Sequence, residues 1–246
     1  MKSDLSTYAS VMTTKKNPRK NAEYNPTGQV TKITIHHMAG NIGADQCARM
    51  HATTNQQASA NYYINGKDIV CGVDEEYRAW TSGSKWNDYK AITIEVANST
   101  GKPSWEISDA SADSLIKLCV DICKRHKITP KFDGTKNATF TFHCIFQATE
   151  CPGPYIKKNI YNFIDSINFH LSALDGNVPA PEPSDSFLVK VTADCLNIRS
   201  GPGTKYKKVG EITDHGVYTI VETSGNWGKL KSGAGWICLR YTKGVK

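Results

Sequence analysis

The chain has no apolar run approaching the roughly 18 residues that a membrane-crossing helix requires, so membrane insertion is not expected. Its first twenty residues, MKSDLSTYASVMTTKKNPRK, carry basic side chains but no apolar stretch of the kind a Sec signal peptide needs. The expectation is synthesis in the cytoplasm, with any action outside the cell depending on another means of release. Collagen-like and disordered compositions are also lacking. With 39% hydrophobic and 22% charged residues among 246, the chain has enough apolar content for one medium domain and a small one. Acidic charge is in deficit, 23 Asp and Glu against 30 Lys and Arg, for a net +7. From Phe187 onward ten basic and four acidic residues supply +6 of that total. Neither Lys/Arg clusters interleaved with aromatics nor a recognition helix accompanies the excess, so it suits an anionic polymer surface better than nucleic acid.

The eight cysteines are an even number, which in an exported chain would suggest disulfides. Without an export signal they read instead as reduced thiols, used as small core residues or metal ligands. Cys119 and Cys123 stand one helical turn apart among apolar neighbours and are expected in a core. Cys195 and Cys238 share the C-terminal region, where a bridge and two free thiols both fit.

The segment DGNVPAPEPSDS, Asp175 to Ser186, has three prolines and no apolar periodicity, the composition of a semi-rigid spacer. It divides the chain into a domain over 1–174 and a smaller one over 187–246. In the first, strands and helices alternate. QVTKITIHHM and AITIEVAN read as strands, ASANYYING and KDIVCGV as a hairpin about an Asn-Gly turn, and TFTFH as a last short strand. ADQCARMHATT, ISDASADSLIKLCVDICKRHKI and YIKKNIYNFIDSINFHL read as helices, the second with Leu115, Ile116, Cys119, Val120 and Cys123 on one stripe. Ser108 or Asp109 can cap its start. The fold class is α/β, a mixed central sheet flanked by helices. After the spacer, short strands and Gly-rich turns with no helical periodicity predict a small all-β barrel.

Three residues of the first domain have the chemistry of a metal site: His36, His143 and Cys151. Zinc takes imidazole nitrogen and thiolate sulfur, and catalytic zinc keeps three protein ligands and one open position. Strand alternation puts His36 on the face opposite Ile33, Ile35 and His37, which favours His36 over His37. His143 ends TFTFH, and Cys151 follows eight residues later before a Pro-Gly-Pro run that stiffens its turn. Any one of these residues alone is more often structural, and the case rests on the set. Glu95 puts a carboxylate inside the apolar strand AITIEVAN, where it must be paired or put to use. A salt bridge and a general base beside an activated water both fit.

Taken together, ITIHHMAG, ASANYYIN, YRAWTSG, AITIEVAN and H-x7-C-P-G-P resemble, in this order, the zinc amidases related to peptidoglycan recognition proteins. The resemblance covers roughly Gln29 to Tyr161. It implies that His36, His143 and Cys151 hold zinc and that Glu95 is the general base. Thr149 stands where relatives stabilise the oxyanion, and Asn61, Trp80 and Thr149 are the candidates for contacting the glycan or stem peptide. Trp80 fits a core aromatic equally well. The implied reaction is hydrolysis of the amide joining N-acetylmuramic acid to L-alanine in peptidoglycan. Two departures stand out. A tyrosine of some relatives is Ala60 here, which excludes a tyrosine-based mechanism, and a lysine of many relatives is Thr149, which can donate a hydrogen bond but adds no charge.

LNIRSGPGTKYKKVGEI with GNWGKLKSGAGWICLRY resembles the bacterial SH3 domains appended to wall hydrolases. That resemblance implies binding to peptidoglycan or other anionic wall polymers. Asn197, Arg199, Ser200 and Gly201 fall at its first turn and can do no more than build it. With no export signal, the combination looks most like a phage or prophage endolysin released through holin pores or by lysis, with a bacterial autolysin as the other origin. A non-catalytic wall-binding module and a peptidase cutting another amide are the competing functions.

Overall fold

Alternation in the sequences ITIHH and AITIEV becomes the two faces of one sheet in a computed structural model, which describes residues 10–11, 22–55, 57–174 and 186–245. The first unit contains β1 (Ser10–Val11), β2 (Ala22–Tyr24), β3 (Lys32–His37), α1 (Ala44–Thr53), β4 (Tyr62–Asn65), β5 (Asp68–Cys71) and β6 (Tyr77–Ala79). It continues through the short α2 (Lys85–Asp88), β7 (Ala91–Val96), α3 (Asp109–His126), β8 (Phe140–Phe142) and α4 (Gly153–Leu174). Among the described residues a mixed six-stranded sheet runs in the order β1-β5-β4-β7-β3-β8. The expected β4–β5 hairpin forms, with Asn65 paired to Asp68 and the turn at Gly66-Lys67, one residue past the Asn-Gly centre. Strands β4, β7, β3 and β8 are mutually parallel.

One face of this sheet is the apolar core. Ile33, Ile35, Ile64, Ile92, Ile94, Phe140 and Phe142 meet Leu115, Ile116, Cys119 and Ile122 of α3 and Ile156, Ile160 and Phe163 of α4. The predicted stripe on α3 is therefore its buried side, with Cys119 and Cys123 inside. Ser108 caps the helix, its Oγ accepting from the Ser111 N–H at 3.1 Å, and Lys127 closes the other end in a left-handed conformation. On the opposite face α1 covers Tyr63 and Val70 with Ala44, Cys47 and Ala48.

Glu75, which precedes β6, ties α3 to the hairpin. Its carboxylate accepts from Arg125 Nη1 and Nη2, both at 2.7 Å, and pairs with His126 Nε2 at 2.8 Å.

The second unit is all β, as expected: β9 (Phe187–Val191), β10 (Leu196–Arg199), β11 (Lys208–Ile212), β12 (Val217–Ser224), β13 (Trp227–Leu230), β14 (Trp236–Cys238) and β15 (Thr242–Val245). Their order is β11-β10-β14-β13-β12-β9-β15, every neighbouring pair antiparallel, around a core that includes Val191, Ile220, Trp227 and Ile237. Arg199 Nη1 donates to the carbonyls of Thr204 and Tyr206, so this residue ties the Gly-Pro-Gly turn together. Cys195 is exposed and Cys238 buried, and both are free thiols.

The two units part between Leu171 and Ser172, in the last turn of α4. The expected spacer, apart from Ser186, lies outside the described residues, and so do the first twenty residues apart from Ser10 and Val11. Among the described residues no helix is long and apolar enough to cross a membrane.

Candidate metal centre and cleft

The polar face of β3, β7 and β8 is built in rows. Thr34 pairs in register with Thr93 on one side and Thr141 on the other. This row is buried and closed over by the segment that follows β6. Asn87 Nδ2 donates to Thr34 Oγ1 at 2.9 Å, and Thr81 Oγ1 donates to Thr93 Oγ1 at 2.8 Å. Two residues further along each strand, on the same face, stand His36, Glu95 and His143. His36 and Glu95 are register partners, and His143 opens the 3-10 turn that ends β8. The cluster thus sits at the carboxyl ends of parallel strands, where open α/β sheets place their ligands.

Cys151 completes the set from a separate turn. Its N–H donates to Thr149 Oγ1 at 3.2 Å, and its carbonyl accepts from the Cys144 N–H at 3.3 Å. Gly153 follows at φ +82, where a Cβ would come within 2.9 Å of Trp105 Cβ and 3.2 Å of His37 Nδ1. Only glycine turns the chain here without pushing the Cys151 loop outward. His37 faces Trp105 edge-on from the other side of the strand, as its alternation requires.

Among the described residues, one ligand atom each from His36, His143 and Cys151 lie within 4.8 Å of one another. Cys151 Sγ is 3.6 Å from His36 Nδ1. Ordinary zinc–nitrogen and zinc–sulfur lengths in a tetrahedron separate two such ligands by roughly 3.6 Å. His36 Nε2 and Glu95 Oε2 are buried and have no hydrogen-bond partner among the described residues. A shielded polar atom without a partner is costly, so the cluster is incomplete with protein atoms alone. Donor chemistry and spacing fit zinc, which His36 would meet through Nδ1, the nitrogen that faces the cysteine sulfur.

Burial dominates the electrostatics. It holds the His36 imidazole well below its ordinary value, with neighbouring His143 adding to the effect, so His36 is neutral. It pushes the Glu95 carboxyl up to about 8. It also pushes the Cys151 thiol far above its ordinary value, with Glu95 reinforcing the shift.

The cleft residues expected from sequence fare differently. Thr149 is exposed, with its hydroxyl engaged by the Cys151 N–H. Trp80 is half-buried beneath the Arg78 guanidinium. Asn61 is 1% exposed. Its Oδ1 accepts from the Thr93 N–H and hydroxyl, and its Nδ2 donates to the Val73 and Tyr77 carbonyls at 3.2 and 3.3 Å. With both ends of its amide engaged, Asn61 braces the cleft wall from inside. Two further residues beside His143, Gln147 and Gly83, carry no motif. The only sequence signal for Gln147 is its spacing of four from His143.

A neutral imidazole, a second imidazole, a thiol and a carboxyl group meet at the ends of parallel strands, in a chain that also carries a small β unit. Such an arrangement is that of a two-domain hydrolase with a candidate metal site. Residues 26–154 match the N-acetylmuramoyl-L-alanine amidase family, and residues 194–243 match the bacterial SH3 domain. The first match spans more than half of the sequence, and the chain belongs to the N-acetylmuramoyl-L-alanine amidase family. It hydrolyses the amide bond between N-acetylmuramic acid and L-alanine in peptidoglycan.

Similar solved structures include that of PlyL, 14% identical over 66% of this chain and 97% of that one, with a TM-score of 0.52. Another is the Staphylococcus aureus hydrolase AmiA in complex with its ligand, 18% identical over 65% of this chain and 82% of that one, with a TM-score of 0.52. At these identities the likeness is one of fold. No curated protein sequence matches the chain.

Proposed function

We propose that the chain is a zinc amidase of the endolysin type, with His36, His143 and Cys151 as the metal ligands and Glu95 as general base. The observation that carries this reading is the convergence of three ligand atoms within 4.8 Å, with Glu95 in register beside His36. When bound, zinc supplies Lewis acidity, polarising the scissile carbonyl and acidifying the attacking water. Glu95 takes the proton from that water at its unpaired Oε2. Set in register beside His36, the same carboxyl can accept that proton and return it to the leaving amine of L-alanine. Thr149, exposed beside the cysteine turn, can donate its hydroxyl hydrogen to the developing oxyanion while its oxygen still accepts from the Cys151 N–H. The half-buried Trp80 offers an apolar surface to the glycan or stem peptide.

The second unit is the proposed wall anchor, its +6 charge suited to peptidoglycan-associated anionic polymers. Release through holin-type pores or at lysis fits this reading, as does the lack of a membrane-crossing helix among the described residues.

The test is incubation with Gram-positive peptidoglycan, with and without a zinc chelator, followed by assay of new amines and new reducing sugars. New L-alanine N-termini that vanish with chelator and return with zinc, without reducing ends, are expected. Wall binding with no new amine would leave a binding module, and new amines from another residue would make the chain a peptidase.

A further inference from the structure

The two ring nitrogens of His143 have different surroundings. Nε2 lies 2.9 Å from Gln147 Oε1. The backbone creates this pair: the N–H groups of Phe146 and Gln147 both return to the His143 carbonyl, at 2.9 and 3.2 Å. That is one helical turn, on which side chains four residues apart lie side by side. An amide oxygen only accepts, so Nε2 carries the ring proton and Nδ1 keeps its lone pair.

The rest of the amide reaches across to the segment that floors the cleft. A Cβ at Gly83 would fall 2.0 Å from Gln147 Nε2 and 2.4 Å from its Cδ. Any side chain at position 83 would therefore displace the amide from its place. Gly83 also adopts φ +69, so glycine is favoured there twice over.

We propose that Gln147 is a positioning residue for His143, and that Gly83 is glycine to leave room for it. The Gln147 carbonyl holds His143 in the Nε2–H tautomer and fixes the ring angle, so that Nδ1 is presented to the metal; this role rests on the zinc reading above. Second partners of this kind orient metal-bound imidazoles generally, and their loss weakens metal binding by roughly 10–100-fold. The choice of an amide also has a charge consequence. With one thiolate and two neutral imidazoles, the site keeps a net positive charge when zinc is bound, and Gln147 orients His143 without cancelling it.

The test uses the full chain and two readouts. Zinc affinity is measured by competition with a chromophoric chelator. The His143 tautomer is read from the imidazole nitrogen resonances of the metal-free protein, whose shifts distinguish a protonated from an unprotonated Nε2. Gln147→Ala is expected to bind zinc about 10–100-fold more weakly and to show His143 as a mixture of tautomers. Gln147→Glu, which keeps an acceptor in place, is expected to retain both the Nε2–H form and the affinity. Gly83→Ala is expected to weaken zinc binding alone and to add no further loss in the Gln147→Ala background. Wild-type affinity and an unchanged tautomer in Gln147→Ala would overturn the proposal. If the wild-type chain bound no zinc, the zinc reading would fall, and the tautomer readout alone would decide the role of Gln147.

Discussion

Burial sets opposite tasks on neighbouring groups of the cleft. His36 is kept neutral and needs to expel no proton before it can bind a metal, whereas Cys151 and Glu95 are both pushed toward their protonated forms. A coordinating thiol is deprotonated outright, and a nearby dication favours carboxylate. Zinc uptake at pH 7 is therefore expected to release about one to two protons per site. Calorimetry in buffers of different ionisation enthalpy measures this directly, and the same linkage makes uptake weaker as pH falls. Replacing Glu95 by glutamine keeps the size of the side chain and removes the base. The expected result is a loss of about 10²–10⁴ in kcat with zinc affinity within a few-fold of wild type. Full activity in that variant would transfer the proton role to another group.

Strand alternation organises the site at the next scale. The threonine row of β3, β7 and β8 is consumed by hydrogen bonds beneath the cleft, so the next polar row can be spent on chemistry. These positions follow from the period of two in the sequence. What covers the threonine row does not, because Asn87 and Thr81 reach it only after the chain folds back over the sheet.

The Glu75 contact with α3 is of the same kind. Burial alone would raise the Glu75 carboxyl, but hydrogen bonds from Arg125 and then His126 outweigh it and hold the group below its ordinary 4.5. A carboxylate held low contributes stability above its unfolded value and loses it as pH falls through the folded one. Glu75→Gln is expected to cost about 2 kcal/mol at pH 7, less than a fully buried pair because Asp121 remains with Arg125. Denaturant titrations should show that difference shrinking below about pH 4. A difference that stays constant with pH would mean that packing, not the charge pair, accounts for it.

Each of the two units has a core of its own, and most of the net positive charge belongs to the smaller. Tethering to a surface raises local enzyme concentration without any change at the reacting bond. A chain shortened to 1–174 is therefore expected to cleave soluble muropeptides at the wild-type rate and intact walls at least tenfold more slowly at low protein concentration. Sedimentation of the full chain with walls should weaken as salt rises, since the attraction is screened over about 8–10 Å at physiological ionic strength. Equal cleavage of walls by both chains would remove the anchoring role from the second unit.

Local signals in the sequence determined β3, β4, β5, β7 and β8, the three long helices, a cap at Ser108 or Asp109 and a hairpin at Asn-Gly, because backbone periodicity and capping act over a few residues. The short β1, β2, β6 and α2 and the choice of Ser108 came from the fold. They also determined which face of β3 carries His36, since side chains alternate strictly along a strand. Residues far apart in the chain were decided only by the tertiary structure. Asn61 sits in a stretch that looks like cleft lining, yet the fold turns its amide inward onto Thr93 and the carbonyls of Val73 and Tyr77. Gln147 and Gly83 carry no motif, and 64 positions separate them in the sequence. Only packing brings the amide of one over the bare Cα of the other, and the hydrogen bond to His143 depends on that space being left open.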